Sequence, residues 1–315
     1  MSSNAELPTH YVAPVKDAVV TVDAVKVDEK PASLWGDAWR DLRKRPTFWI
    51  SVAIVFVVLL MALFPTLFTQ TPPNSNCQLA NSNAGPAAGH PLGFTFQGCD
   101  IWARIVWGTR TSVAVGVLAT LIGSIIGLVM GALAGFYGGW LDSLLSRVGD
   151  IFFAIPYILA AVVVMSVFYN FRNVFTLALA IGGFAWASTA RVVRAEILRV
   201  RQADFVMASQ ALGLSKFRTL LNHVIPNAIA PLLVVSTLAL AAAIVAEATL
   251  AFLGVGLGSN VMSWGADISQ AQTSLRTAPM ALIYPSLALT ITVLAFILLG
   301  ELIRDALDPR ARARR

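Results

Sequence analysis

The chain has 315 residues, of which 57% are hydrophobic and only 13% are charged, and its mean hydropathy is +0.72. This composition excludes an ordinary soluble globular protein, in which about a quarter of the residues carry charge. The net charge of +6 comes from Lys and Arg that flank apolar segments, which is typical of membrane topology. The basic C-terminal sequence RARARR is therefore interpreted as facing anionic lipid rather than nucleic acid.

The N-terminal region precedes the first apolar segment. Residues 1–32 contain few large apolar side chains, so we predict a disordered cytoplasmic tail. Residues 33–46 are predicted to form an amphipathic helix on the inner membrane surface. Trp35 and Trp39 would share its lipid-facing side because they are four residues apart.

Six apolar segments approach the roughly 20 residues that a spanning helix needs. Their apolar residues are continuous rather than alternating, which favours helices over a β-barrel. The sequence therefore predicts an all-α integral membrane protein with six transmembrane helices. The six segments are residues 48–68, 111–135, 148–169, 174–190, 228–250 and 282–302. The predicted organisation is a first transmembrane helix at 47–68, an extracytoplasmic loop at 69–104, a core with five further helices at 105–303 that includes an inner loop at 191–223, and a basic cytoplasmic tail at 304–315.

The distribution of Lys and Arg predicts the orientation. With six spans and both termini cytoplasmic, 19 of these residues lie on the inner side. The four on the outer side would be Arg104, Arg110, Arg172 and Arg276. Because cytoplasmic loops carry an excess of Lys and Arg, both termini are predicted to be cytoplasmic.

Both cysteines of the chain, Cys77 and Cys99, fall in the first outer loop. An oxidising compartment favours a disulfide between them, and closing a loop of this size would contribute about 3 kcal/mol in the chain-entropy model. The alternative is two separate free thiols.

Four glycines, Gly123, Gly127, Gly131 and Gly135, recur at every fourth residue of the second span. Three overlapping G-x-x-x-G units form a strip that a neighbouring helix can approach closely. The neighbour could belong to the same chain or to a second subunit. Pro156, Pro226 and Pro231 would kink or begin helices, or only shape their packing.

Residues 253–279 are predicted to be an outer loop in which WGADISQAQTSL forms a short helix. Glu247, in the outer part of the fifth span, is costly unless it is paired or hydrated. It could contact a cationic substrate group or an external partner, but we favour an interfacial or helix-packing role.

The sequence offers no catalytic or metal-binding constellation. It contains no G-x-x-x-x-G-K-[ST] segment, so it does not bind ATP by that route. The three histidines, His10, His90 and His223, are too scattered to form a metal site with cysteine. Without paired carboxylates or a Ser–His–Asp arrangement, transport is a better interpretation than catalysis.

Residues 203–227 form a polar, helix-forming segment between two spans. Phe205, Ala208 and Leu212 would make one apolar stripe, Asp204 would cap the helix or favour its positive N-terminal end, and Gly213 would end it. A second helix would then rise into the membrane. Such a segment suits either docking into a groove of a cytosolic partner or lying on the lipid surface.

The same segment resembles the cytoplasmic "EAA" loop of ABC importer permeases. The resemblance consists of Met207-Ala208-Ser209, Gly213 four residues later, and Val224-Ile225-Pro226. Met207 replaces the usual acid and Ser209 the second alanine. HPLGFTFQGCDIWARIVWGTRTSVAVG (90–116), GALAGFYGGWLDSLLSRVGDIFFAIP (131–156), EATLAFLGVGLGSNVMSWGADISQA (247–271) and LGELIRDALDPRAR (299–312) are similar to segments of the peptide/nickel-type permeases, in particular their second, shorter permease.

This resemblance implies the type I ABC importer permease fold in the plasma membrane of a prokaryote. It implies three kinds of protein partner: a second homologous permease, one or two ATP-binding subunits, and an extracytoplasmic substrate-binding protein. The chain itself would hold no cofactor, since ATP and Mg would bind to the partner subunits. The expected coupling residues, which would contact the ATPase, are Asp204, Phe205, Met207, Ala208, Ser209, Ala211, Leu212, Gly213 and Leu214. Trp264 and Asp267 are candidate outer-face contacts, and so is Glu247. Trp264 and Asp267 could equally anchor the loop.

The expected function is import of di- or oligopeptides. Within the family, nickel or another non-peptide solute is the alternative. An ion-coupled secondary transporter and a membrane scaffold are alternatives from other classes. The spans lack a series of acidic residues and an evident inverted repeat, which speaks against the secondary transporter.

Overall fold

The structure, a computed structural model, describes residues 34–75, 77–258 and 261–307. The predicted disordered tail at 1–32 and residues 308–315 of the predicted basic tail lie outside the described residues. The described chain is built from helices, which are α1 (Leu34–Leu42), α2 (Pro46–Leu63), α3 (Ile101–Tyr137), α4 (Gly139–Ala154), α5 (Tyr157–Val167), α6 (Val174–Arg201), α7 (Asp204–Ala211), α8 (Lys216–Thr219), α9 (Ile225–Phe252), α10 (Trp264–Ala271) and α11 (Met280–Leu307).

The predicted all-α membrane fold is confirmed. Four single helices, α2, α3, α6 and α11, are long and apolar enough to cross a membrane. The fifth span runs from Lys216 to Phe252 and joins α8 to α9 through a π-helical turn at Leu220–Val224. The sixth apolar segment consists of α4 and α5, which are bent by 80° relative to each other.

The prediction of one continuous span at 148–169 was wrong, because the helix breaks between Ala154 and Tyr157. Pro156 has no N–H to donate to the preceding turn, and its ring excludes the residue before it from the helical region. Ile155 accordingly has an extended backbone, with ψ of 120°.

Other helix boundaries differ from the apolar segments that predicted them. The first span ends at Leu63 rather than at residue 68, since Pro65 follows two residues later. Helix α3 begins at Ile101, within the predicted loop, and is capped by Asp100, whose carboxylate accepts from the Trp102 N–H at 2.9 Å. Helix α6 continues to Arg201, past the end of its apolar part. Helices continue through polar residues beyond the bilayer, so hydropathy underestimates their length.

The glycine strip of α3 packs against α6 of the same chain. A Cβ at Gly131 would lie 2.5 Å from the Ala190 carbonyl oxygen, and one at Gly135 would lie 2.9 Å from the Arg194 carbonyl oxygen. Gly123 and Gly127 likewise face α6. This close approach answers the question that the sequence left open, because the neighbour of the strip lies within this chain.

Helix α6 contributes Gly182 to the same contact, which leads to a prediction with an adjacent control. A Cβ at Gly182 would lie 2.3 Å from the Ala119 carbonyl oxygen, whereas one at Gly183 would meet nothing within 4 Å. We expect Gly182→Ala to force α3 and α6 apart and to destabilise the protein by about 1–3 kcal/mol, the usual cost of overpacking. Gly183→Ala should be neutral or slightly stabilising. Thermal unfolding of the two variants in detergent checks this, and equal midpoints would contradict it.

The N-terminal helix α1 rests on the end of α11. Its buried residues Ala38 and Leu42 pack with Leu302 and Ala306. Its position inside the predicted 33–46 helix agrees with an amphipathic segment, and its exposed Trp39 packs edge-on against Trp49 of α2.

The loop between α2 and α3, which the sequence predicts to be an outer loop, is closed by the disulfide that the sequence also predicted. Cys77 and Cys99 are bonded, with their Cα atoms 4.3 Å apart. The alternative of two free thiols is therefore excluded, and the loop is tied back to the residues that precede α3.

Candidate functional sites

The turn between α6 and α9 forms the first candidate site. Helix α6 ends at Arg201, whose Nη1 donates to the carbonyl oxygens of Gly135 and Phe136 at 3.0 and 3.2 Å. Helix α7 follows after two residues and ends before Gly213, which has φ of +87°. This left-handed conformation favours glycine and allows the chain to reverse into α8.

Helix α7 has one face turned toward its own chain. Val206 is fully buried in a cluster with Ile197, Val200 and Leu220. Ser209 is also buried, and its hydroxyl donates to the Val206 carbonyl oxygen at 2.8 Å. This face fixes α7 to both α6 and the start of the fifth span.

The rest of the surface of α7 is exposed and carries large apolar side chains. Phe205, Met207 and Leu212 are 47%, 54% and 82% exposed. Phe205 and Leu212 lie on one side of the helix because they are seven residues apart, whereas Met207 lies on another side. Exposed apolar side chains of this size mark an interaction site. The predicted stripe of Phe205, Ala208 and Leu212 thus lies on the side that a partner can reach. Of the remaining expected coupling residues, Asp204, Ala211 and Gly213 are exposed and Leu214 is half-buried.

Two expectations for this segment require correction. Ser209 is not available to a partner, since it lies three residues from Val206 on the inward face. Asp204 does not cap the helix, because Ala203 occupies the cap position. As the first helical residue, Asp204 places its charge in the first turn, which agrees with the other predicted role of favouring the positive N-terminal end.

The expected set of coupling residues also omitted Phe217 and Leu221, which are exposed on the adjoining helical turns. Both apolar residues lie close in sequence to the basic residues Lys216 and Arg218. An apolar side chain among polar residues of an inner loop was the signal that could have identified them.

A buried polar cluster lies at the other end of the molecule. The Arg104 side chain of α3 donates through Nε to Asp267 Oδ1 of α10 at 2.8 Å, and its Nη2 donates to the same oxygen. Its Nη1 donates to Asn74 Oδ1 of the outer loop at 2.7 Å. One arginine therefore joins three segments that are far apart in sequence.

The same cluster includes Glu247 of α9. The Ser112 hydroxyl donates to Glu247 Oε2 at 3.0 Å and accepts from the Trp264 N–H at 3.2 Å. The Trp264 indole N–H donates to the Ile105 carbonyl oxygen at 3.1 Å. These bonds hold α10 against α3 and α9.

The candidate outer-face contacts Glu247, Trp264 and Asp267 are consequently not surface residues. All three are buried, and each makes a hydrogen bond inside the protein, while Glu247 Oε1 and Asp267 Oδ2 have no partner among the described residues. Removal from water raises the pKa of Asp267 above its ordinary value, and the Arg104 guanidinium opposes that rise. The structure thus favours the loop-anchoring role over contact with an external partner.

Metal binding has no candidate site within the described ranges. Across residues 34–75, 77–258 and 261–307, no three or more His, Cys, Asp or Glu side chains are grouped so that they could hold an ion. In the buried cluster, Arg104 instead binds Asp267, and Ser112 binds Glu247.

A helical membrane protein with a rigidly held helix–glycine turn between two spans fits the class of transport permeases. Residues 123–313 match the family described as binding-protein-dependent transport system inner membrane component. Residues 33–86 match the N-terminal transmembrane domain of oligopeptide transport permease C. The chain therefore belongs to this family of inner-membrane transport components, and within it to the peptide-type permeases of ABC importers.

Individual relatives cover nearly the whole chain. The oligopeptide transport system permease protein OppC of Bacillus subtilis (strain 168) is 34% identical over 92% of this chain and 94% of its own length. The glutathione transport system permease protein GsiD of Shigella boydii serotype 4 (strain Sb227) is 32% identical over 94% of this chain and 97% of its own length.

The fold also resembles a solved transporter. A chain of the MetNI methionine ABC transporter in an inward-facing conformation matches with a TM-score of 0.55 and 20% identity, over 64% of this chain and 96% of that chain. At this identity the likeness concerns the fold alone.

Proposed function

We propose that this chain is one of two permease subunits of an ATP-driven importer for di- or oligopeptides. It forms half of the translocation pathway and binds cytosolic ATPase subunits through α7. ATP and Mg bind to those subunits, and a substrate-binding protein delivers the peptide from outside. Both termini face the cytoplasm, as the distribution of Lys and Arg supports.

The observation that carries this proposal is the two-sided character of α7. A short helix with Val206 buried beneath it and Phe205 and Leu212 exposed above it is fixed to the membrane domain and open to a partner. An interfacial helix on lipid, the alternative from sequence, would have no need of a rigid attachment to two spans.

Mechanical coupling follows from the way α7 is attached. Val206 lies in one core with Val200 of α6 and Leu220 of the π-helical turn. Arg201 also ties the end of α6 to the last turn of α3. A displacement of α7 by closing ATPase subunits would therefore move α3, α6 and the fifth span together, as in a rigid-body transition between inward and outward states.

The peptide substrate is supported by the relatives whose names specify oligopeptides and glutathione, itself a short peptide. Nickel and ion-coupled transport receive no comparable support.

The test is purification of the tagged wild-type chain from native membranes with its associated subunits, followed by reconstitution into liposomes with the substrate-binding protein. We expect ATP-dependent uptake of labelled di- or oligopeptides and no uptake of Ni²⁺. Uptake that follows an ion gradient without ATP would overturn the proposal in favour of a secondary transporter. Uptake of Ni²⁺ without uptake of peptides would show that the substrate is nickel rather than a peptide.

A further inference from the structure

The broken span places irregular backbone inside the membrane. Helix α5 has 11 residues, which at 1.5 Å per residue span about 16 Å, or roughly half of the 30 Å hydrocarbon core. With α4 and α5 taken as one broken span, as the sequence predicts a span here, the break at Ile155 and Pro156 lies near mid-depth. Non-helical backbone at that depth is tolerated only where it is buried in protein or lines a water-filled cavity.

A cavity of about 340 Å³ borders this break. Ile155 and Pro156 form one side, and residues of α3, α6 and α9 form the others. The last four carbonyl groups of α4 lack donors within the helix, and Pro156 has no N–H with which to satisfy one. The break thus provides hydrogen-bond acceptors at the edge of the cavity.

The remaining polar groups of the cavity are hydroxyls. None of its described lining residues is charged, while Thr120, Ser124, Tyr157, Ser188 and Thr189 contribute hydroxyl groups. Ser124 is bonded to Ser236 at 2.8 Å, and Ser188 donates to the Ala185 carbonyl oxygen at 3.0 Å. Thr120 Oγ1, in contrast, is buried and has no hydrogen-bond partner among the residues that the structure describes.

We propose that this cavity is a transit site for the amide backbone of the substrate, formed by the broken α4–α5 span together with Thr120 and Ser188. This inference rests on the proposed peptide-import function and locates part of its pathway.

The chemistry of the cavity suits a peptide backbone. Each peptide unit offers one N–H donor and one C=O acceptor, which match the free carbonyls of α4 and the hydroxyls, since hydroxyls both donate and accept. Because no charged side chain lines the cavity, no side chain of the substrate would be selected and binding would remain weak enough for release. The transit site would therefore accept peptides of differing sequence.

Cysteine accessibility tests the site directly. The chain has two cysteines, which are bonded to each other, so an introduced cysteine is its only free thiol. In the reconstituted transporter, we expect Ser188→Cys to react with a membrane-impermeant thiol reagent and to be protected at least tenfold by saturating substrate peptide. Val163→Cys on the exposed side of α5, outside the cavity, is the matched control and should show no such protection.

The alternative outcomes are distinct. If Ser188→Cys does not react, the cavity faces lipid and the inference is overturned. Reaction without protection by peptide also overturns it. Ala185→Cys, on the same helix and lining the same cavity, replaces Ser188→Cys if that variant does not assemble.

Filling the cavity gives a second readout. We expect Ala185→Trp to lower peptide uptake at least tenfold while the associated subunits still co-purify and hydrolyse ATP, whereas Val163→Trp should leave uptake within twofold of wild type. Unchanged uptake in Ala185→Trp would overturn the inference but not the import function, which is judged from wild-type uptake alone.

Discussion

Phe205→Asp is expected to abolish ATP-driven uptake by separating the chain from its ATPase subunits. The Phe205 ring lies on the exposed apolar face of α7, where it would fill a partner's groove. Aromatic anchors at the centre of an interface commonly contribute about 2 kcal/mol or more, and a carboxylate in an apolar groove adds a desolvation penalty. We expect at least a 30-fold loss of ATPase subunits in affinity purification, with a matching loss of uptake.

Two companion variants separate docking from folding. Gln210→Asp introduces the same charge at an exposed position off the apolar stripe, and should retain the subunits. Val206→Asp places a charge in the core beneath α7 and should reduce the yield of folded protein itself. If the Phe205→Asp variant still co-purifies with the ATPase subunits and still takes up peptide, α7 is not the docking element.

Arg104→Gln and Asp267→Asn are each expected to destabilise the protein strongly. Both partners of this ion pair are buried, so removing one leaves an uncompensated charge, at a cost of about 3–5 kcal/mol. The loss would detach α10 from α3 and lower the midpoint of thermal unfolding in detergent. Replacing both residues together, as Arg104→Met with Asp267→Leu, should recover most of the stability because neither charge of the pair is then left buried without its partner.

The exposed pair of Arg191 and Asp150 provides the control for burial. Their atoms are 2.8 Å apart, but both side chains are about half exposed. Asp150→Asn should therefore change the free energy of unfolding by less than about 1 kcal/mol. Equal losses of stability in Asp150→Asn and Asp267→Asn would show that burial does not determine the effect. If the Arg104→Met, Asp267→Leu double variant were as unstable as the single variants, the geometry of the pair rather than its charge balance would hold α10 in place.

The apolar segments were sufficient to predict the membrane class and the helical fold, because backbone polar groups in a bilayer must be satisfied within the helix. The stripe of Phe205 and Leu212 with Gly213 was also local information, since a 3.6-residue period and a glycine stop are visible in the sequence. For the same reason the disulfide of Cys77 and Cys99 was predicted from two cysteines in one loop.

Contacts between distant segments could not be predicted in this way. The sequence showed the glycine strip but not that α6 fills it, since close approach depends on both surfaces. It placed Glu247, Trp264 and Asp267 near the outer end, but only the packing of α10 against α3 buried them. The break at Pro156 was a known candidate for a kink, whereas its 80° angle and the cavity beside it arise from the helices that surround it. Sequence periodicity and composition therefore determined the helices and their exposed stripe, while the tertiary structure decided which polar groups are buried as partners and which line the cavity beside the break.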